Sequence, residues 1–224
     1  MGTRTLRVVL LFGLLAGCSS NGEVNGNLGR GSFSYKCVDQ SDSACASATT
    51  GPTEFPGSIA EGAQFRLDYK ANGDPTKSGN PTLRPVSNVY LAKEADTFTS
   101  LKSGFGAVIA KSTTTGEVLD YTLIKINPVG SLRLSGTDGN LPPPTVTLAK
   151  NAIQEYAVAA LGVHGETLDG TLGYQWVSSD PAVVTLQQGN PAARMKVLAS
   201  NTGTATLTVS LGSQTKTLTV TVTP

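Results

Sequence analysis

The only histidine of the chain, His164, stands in Gly162-Val163-His164-Gly165-Glu166, and any Ser-His-Asp relay would have to run through it. No Gly-x-Ser-x-Gly elbow accompanies it, so a histidine flanked by glycines reads as the polarity of a loop. Asp68, Glu94, Asp96 and Asp120 are the carboxylates that could pair for glycoside hydrolysis. Their contexts read equally well as outward strand faces or turns. Gly104-Phe105-Gly106 lies inside an alternating β pattern with no helix after it, which excludes a phosphate-cradling loop. Asn72-Gly73-Asp74 and Thr137-Asp138-Gly139-Asn140 offer oxygen ligands for calcium but lack the spacing of an EF-hand, and Asx-Gly turns are the commoner use of such residues. Tyr90, Tyr121 and Tyr174 could form a platform for a sugar ring, although nothing in their spacing brings them together. The expectation is a chain with no catalytic residues, no cofactor and no resident metal: not an enzyme.

The strongest local signal is elsewhere. Arg4 and Arg7 precede an apolar run from Val8 to Leu15, the layout of a secretory signal peptide, and the run is too short to span a bilayer. It ends in Leu15-Ala16-Gly17-Cys18, which resembles the lipobox of bacterial lipoproteins. The resemblance implies removal of residues 1–17, acylation of Cys18 on its sulfur and amine, and anchorage in a membrane. Ser19 follows, where an aspartate would suggest inner-membrane retention, so the expected address is the outer membrane. The chain carries 17 basic and 16 acidic residues. Cleavage would remove two arginines and no acid, leaving a near-neutral protein with no nucleic-acid partner to expect.

With Cys18 given to lipid, Cys37 and Cys45 remain as a pair in an oxidising compartment, and a disulfide is the favoured reading. The alternative, a metal held by these thiols with Asp39 or Asp42, lacks a third and fourth soft ligand nearby. Between Cys18 and Gly31 the chain is rich in Gly, Asn and Ser, which suggests a flexible tether over 18–31 with a reach of roughly 20 Å. A second break, Gly136-Thr137-Asp138-Gly139-Asn140-Leu141-Pro142-Pro143-Pro144, suggests a stiff linker over 137–144 between two domains, 32–136 and 145–224.

Both halves read as β. Ala205, Leu207, Val209 and Leu211 alternate with polar residues, as do Leu218, Val220 and Val222, and Gly212-Ser213 between them is a hairpin turn. Earlier strands are expected at 146–149, 156–161, 173–177, 183–186 and 195–199, enough for a sandwich. In the first half Phe65, Leu67 and Tyr69, then Phe105, Ala107 and Ile109, alternate likewise, with further strands at 118–126 and 132–134.

Gln175-Trp176-Val177-Ser178-Ser179-Asp180-Pro181-Ala182-Val183-Val184, followed by Lys196-Val197-Leu198-Ala199 and Thr202-Gly203-Thr204-Ala205-Thr206-Leu207-Thr208-Val209, resembles a group 2 bacterial Ig-like domain over about 145–223. One departure is the longer turn Gln187-Gln188-Gly189-Asn190-Pro191. The physical reading agrees: Trp176 belongs in the core, Ser178, Ser179 and Asp180 cap a turn, and Pro181 ends the strand. The fold expected is all-β, two tandem Ig-like sandwiches, the first Ig-like only in the broad sense. The function expected is non-catalytic: an envelope-anchored adhesion or interaction protein, with an unidentified surface protein or glycan as partner. The alternative is an envelope-anchored carbohydrate-binding or hydrolase accessory protein with its site in the N-terminal half; a third is a mere spacer.

Overall fold

The computed structural model describes residues 22–45, 52, 54–73, 81–136, 138–188 and 192–224. The described elements are strands apart from one 3-10 turn, Ser43–Cys45. The first sandwich is built from β1 (Glu23–Asn25), β2 (Gly31–Lys36), β3 (Ile59–Ala60), β4 (Gln64–Ala71), β5 (Thr82–Pro85), β6 (Leu91–Glu94), β7 (Thr97–Ser100), β8 (Gly104–Lys111) and β9 (Val118–Asn127). One sheet runs β1-β2-β4-β7-β6 and the other β3-β9-β8-β5. The second sandwich holds β10 (Ser131–Gly136), β11 (Thr145–Ala149), β12 (Ile153–Leu161), β13 (Gln175–Ser178), β14 (Val184–Gln188), β15 (Arg194–Ala199), β16 (Gly203–Leu211) and β17 (Gln214–Thr223). Its sheets run β10-β12-β15-β14 and β11-β17-β16-β13. The all-β, tandem Ig-like architecture is as expected.

Alternation fixes which face of each strand is buried. In the first sandwich aromatic residues of the sheet β1-β2-β4-β7-β6 pack against aliphatic ones such as Val108, Ile124 and Ile126. Tyr35 and Phe65 stack with centroids 5.8 Å apart, and Phe65 and Phe98 follow at 5.6 Å. In the second the core is mostly aliphatic, with Leu207, Val209, Leu218 and Val220 facing Val184, Val197 and Ala199. Trp176 is buried among them, and its indole N–H donates to the Ala192 carbonyl at 2.9 Å, which satisfies the one polar atom its burial would strand.

Two expected boundaries are corrected. The Gly/Pro segment does not separate the domains. β10 precedes it and yet pairs antiparallel with β12, Leu134 opposite Val158, so 131–136 belongs to the second sandwich and the chain passes between domains at 128–130. After the prolines, β11 joins the opposite sheet, parallel to β17. Three residues without N–H groups cannot continue a ladder, so the prolines shift the first strand of the sandwich from one sheet to the other. The tether is also shorter than expected. Residues 18–21 lie outside the described residues, but 23–25 pair with 32–34 as an edge strand, and the turn after them is bound. That turn closes around Asp120, whose buried carboxylate accepts the Leu28 and Arg30 N–H groups, each at 2.7 Å, while the Asn27 N–H reaches the Tyr121 carbonyl at 2.9 Å. The Gly and Asn residues that read as flexible are the small residues a tight turn needs: a Cβ on Gly26 would fall 2.2 Å from the Asp120 carboxyl carbon.

Candidate functional site

The residues with the most perturbed chemistry converge on the joint between the two sandwiches. From the second sandwich, the segment after β12 folds back and lays Leu168–Tyr174 on the first. Its backbone continues the sheets of the neighbour. The Ala60 N–H donates to the Asp169 carbonyl (2.9 Å) and the Asp169 N–H to the Ser58 carbonyl (3.1 Å). Gln64 and Thr171 exchange a reciprocal pair at 2.9 and 2.8 Å. Gly170 is needed between them. Its φ is +102°, and a Cβ there would lie 2.5 Å from the Cβ of Ala63.

From the first sandwich comes the loop closed by the Cys37–Cys45 disulfide, Cα–Cα 6.3 Å, as expected. Asp39 Oδ1 accepts the Ser41 backbone N–H at 2.7 Å and so folds the loop's first half. Asp42, fully buried, organises the second. Its Oδ1 accepts the Ala44 N–H (3.0 Å) and, across the joint, the Gly170 N–H (2.9 Å), and its Oδ2 accepts the Tyr35 hydroxyl at 2.6 Å. Ser43 donates its hydroxyl across the joint to the Asp169 carboxylate (2.6 Å) and lies 2.9 Å from the Leu168 carbonyl.

Burial governs the electrostatics here. It pushes the Asp42 carboxyl up, with the bonds from Tyr35, Gly170 and Ala44 pulling the other way. Asp169 rises to about 6 through burial, opposed by the Ser43 hydroxyl and aided by the charge of Asp42. Tyr35 is raised well above the usual phenol range by burial and then by Asp42, and burial lifts Tyr174 to about 12. Two carboxyls with raised values would suit acid–base work in an open cleft. Here the oxygens of Asp42 are spent on protein donors, three of them within or next to the disulfide loop and the facing segment. The arrangement holds two domains at one angle.

The other residues singled out by sequence are dispersed. Cys18 lies outside the described residues, as do Asp74 and Thr137. His164 is exposed at a turn tip, its backbone N–H donating to Glu166. Glu166 in turn accepts from Asn127 of β9 at 2.8 Å, so this turn too is stapled to the first sandwich. The Glu166 carboxyl is held below its usual range by its own backbone N–H, by Asn127 and by the His164 backbone and charge. Asp138 is occupied by Asn140, which donates both its backbone and its side-chain N–H in an Asx turn. Asp68 is exposed on β4, Asp120 is buried on β9, and Glu94 and Asp96 flank the turn from β6 to β7. Tyr174 is in the core, Tyr121 is on an outer sheet face, and Tyr90 packs beside Gly104 and Gly106, so the three tyrosines make no shared platform. Among the described residues, no group of three or more His, Cys, Asp or Glu side chains is placed to hold a metal ion. The joint itself was not read from sequence beyond its disulfide. Its one local signal is Asp169-Gly170, a turn dipeptide whose partner lies 128 residues away.

No family model matches the chain, and no curated protein does. Solved structures with similar folds include domains 4 and 5 of the surface-layer protein SbsC, at 16% identity, covering 69% of this chain and 82% of that one, TM-score 0.35. The adhesin FdeC of Escherichia coli is 14% identical over 75% of this chain and 62% of its own, TM-score 0.32. The Yersinia pseudotuberculosis adhesin InvE is 12% identical over 75% and 57%, TM-score 0.35. Likeness at this level concerns β-domain architecture alone.

Proposed function

We propose that this chain is a lipid-anchored protein of the bacterial cell envelope, held by acyl groups on Cys18, probing its surroundings through two rigidly joined Ig-like sandwiches without catalysing a reaction. The joint carries this reading. Four backbone hydrogen bonds and the buried Asp42 bridge fix one sandwich against the other. Such a body presents loops and edge strands at a set distance and angle, which suits adhesion or scaffolding. Strand addition at the free edges of β13 and β14, or contact through loops, is the expected mode of binding. The lipobox resemblance and the near-neutral charge support outer-membrane anchorage by lipid. The test is metabolic labelling with palmitate followed by protease shaving of intact and disrupted cells. Label on the wild type and none on Cys18→Ala supports the anchor, and cleavage on intact cells supports an outward-facing adhesion role. An unlabelled wild-type chain, or one recovered from the cytoplasmic fraction, overturns the proposal.

A further inference from the structure

Among the described residues, the outer face of the sheet β3-β9-β8-β5 is left uncovered over much of β9, β8 and β5. Its alternation inverts the usual pattern. Where an exposed sheet face carries threonine and serine, as on β16 and β17, this one carries Phe105 (62% exposed), Val86 (61%) and Leu123 (51%). Register places them together: Val86 bonds to Ala107, Ala107 is opposite Leu123, and Phe105 is two residues from Ala107 on the same side. Strands about 4.8 Å apart make this one continuous apolar patch, with Ile109 and Tyr121 beside it. The charged residues on the same face are Arg84, Lys111 and Lys125, all basic. The acids that adjoin it lie at its two ends, Glu117 in the β8–β9 turn and, at the other, Glu61, which accepts the Ser103 N–H before β8, and Glu166 at the joint, where Asn127 engages it.

An apolar centre within a basic rim has an occupant written in its charge. A second copy would set the same three cations against themselves, and a neutral apolar partner would leave them unanswered. An anionic lipid surface meets both parts at once, taking the lysines and arginine at its headgroups and the aromatic and aliphatic tips at the boundary with the acyl chains. Reach agrees. If Cys18 is acylated, only four residues separate the lipid from Gly22, about 14 Å fully extended, because 22–31 is bound into the fold. That leash starts at β1, and the turn after β1 extends the very sheet in question past β9. A sandwich held so short cannot stand clear of the headgroups.

We propose that the face formed by Val86, Phe105 and Leu123, rimmed by Arg84, Lys111 and Lys125, docks the first sandwich flat on an anionic membrane. The leash part of this argument rests on the proposed acylation, whereas the face itself does not, and the experiment uses that difference. The chain from Ser19 onward keeps all strands and lacks the acyl acceptor. Its partitioning is measured by flotation with vesicles of phosphatidylcholine alone and of phosphatidylcholine with phosphatidylglycerol at roughly two to one. Binding to the anionic vesicles and little to the neutral ones is expected. Arg84→Glu with Lys111→Glu and Lys125→Glu should lower it on the order of a hundredfold, at roughly fivefold per cation. Phe105→Ser with Leu123→Ser should lower it at least about tenfold, with circular dichroism unchanged in both variants. Absence of binding to either vesicle, indifference to the charge reversals, or a concentration-dependent dimer that Phe105→Ser abolishes would each overturn the proposal. Failure of palmitate labelling would instead remove the anchor and leave a positive vesicle result standing.

Discussion

Replacing Asp169 with asparagine should stabilise the protein at neutral pH, and by an amount that shrinks as the solution is acidified. The carboxyl sits in the joint with its ordinary value of 3.8 raised to about 6. Because the folded value is the higher one, the folded state binds more protons than the unfolded state between about pH 4 and 6, and stability falls as pH rises through that window. A shift of this size corresponds to about 3 kcal/mol at pH 7, at about 1.4 kcal/mol per unit. Allowing for the solvent that reaches a carboxyl only partly covered, about 2 kcal/mol is the expected gain. Asparagine keeps an oxygen for the Ser43 hydroxyl and carries no charge to bury. The repulsion from Asp42, which asparagine also relieves, is already part of that shift. The assay is urea unfolding of wild type and Asp169→Asn at several pH values from 4 to 8, read as the difference between the two curves. The difference cancels carboxylates such as Asp138 and Glu166, whose lowered values give the opposite slope. It should fall from about 2 kcal/mol at pH 7 to about 0.5 kcal/mol at pH 4. A variant less stable than wild type at pH 7, or a difference that does not change with pH, would refute the placement of an ionised carboxyl in a dry joint.

Three further substitutions probe the elements that hold the body together. Gly170→Ala forces a Cβ to within 2.5 Å of Ala63 at a φ of +102°, so it should cost about 2 kcal/mol or more and speed amide exchange at Ala60, Gln64 and Thr171; unchanged exchange would contradict the tight contact. Asp120→Ala strands the Leu28 and Arg30 N–H groups and should cost about 2–4 kcal/mol, with protease cleavage appearing in the 22–30 segment of a still-folded protein. Cys37→Ser with Cys45→Ser opens a loop of sequence separation 8 and should lose about 2.5 kcal/mol, measured by urea unfolding in the absence of reductant.

The second sandwich was nearly complete in its own sequence. Its alternation names the inward residues of β16 and β17 one by one, because one buried face leaves no freedom of register. The tryptophan turn and the disulfide were legible for a similar reason: each is a short-range device. What escaped was long-range. Leu132 and Leu134 look the same whichever sandwich they join, and only pairing with Val158 assigns them. Gly26 to Arg30 has the composition of a tether, and only a buried Asp120 ninety residues on makes it a turn. Asp42 and Asp169 read as surface acids in polar loops until the fold buries the first and partly covers the second at one joint. Local propensity cannot distinguish a polar loop that faces water from one that faces another domain.

The joint and the basic apolar face bear on one another. A face that settles on lipid orients only the sandwich that carries it, unless the next domain is fixed to the first. Backbone pairing at Ala60–Asp169 and Gln64–Thr171 supplies that fixity at little entropic expense, since both segments are already ordered by their own sheets. Docking then sets the tilt of the whole body, and the free edges of β13 and β14 project at an angle fixed by the membrane plane. The raised value of Asp169 gives this rigidity a direction in pH. Protonation relieves the cost of holding a charged Asp169 carboxyl largely away from water and, to a lesser extent, its repulsion with Asp42, so the joint tightens in mild acid where most carboxylate-held structures loosen. The angle between the sandwiches, followed by small-angle scattering of the wild type from pH 7 to 5, should therefore narrow in distribution, and Asp169→Asn should show the narrow distribution already at pH 7.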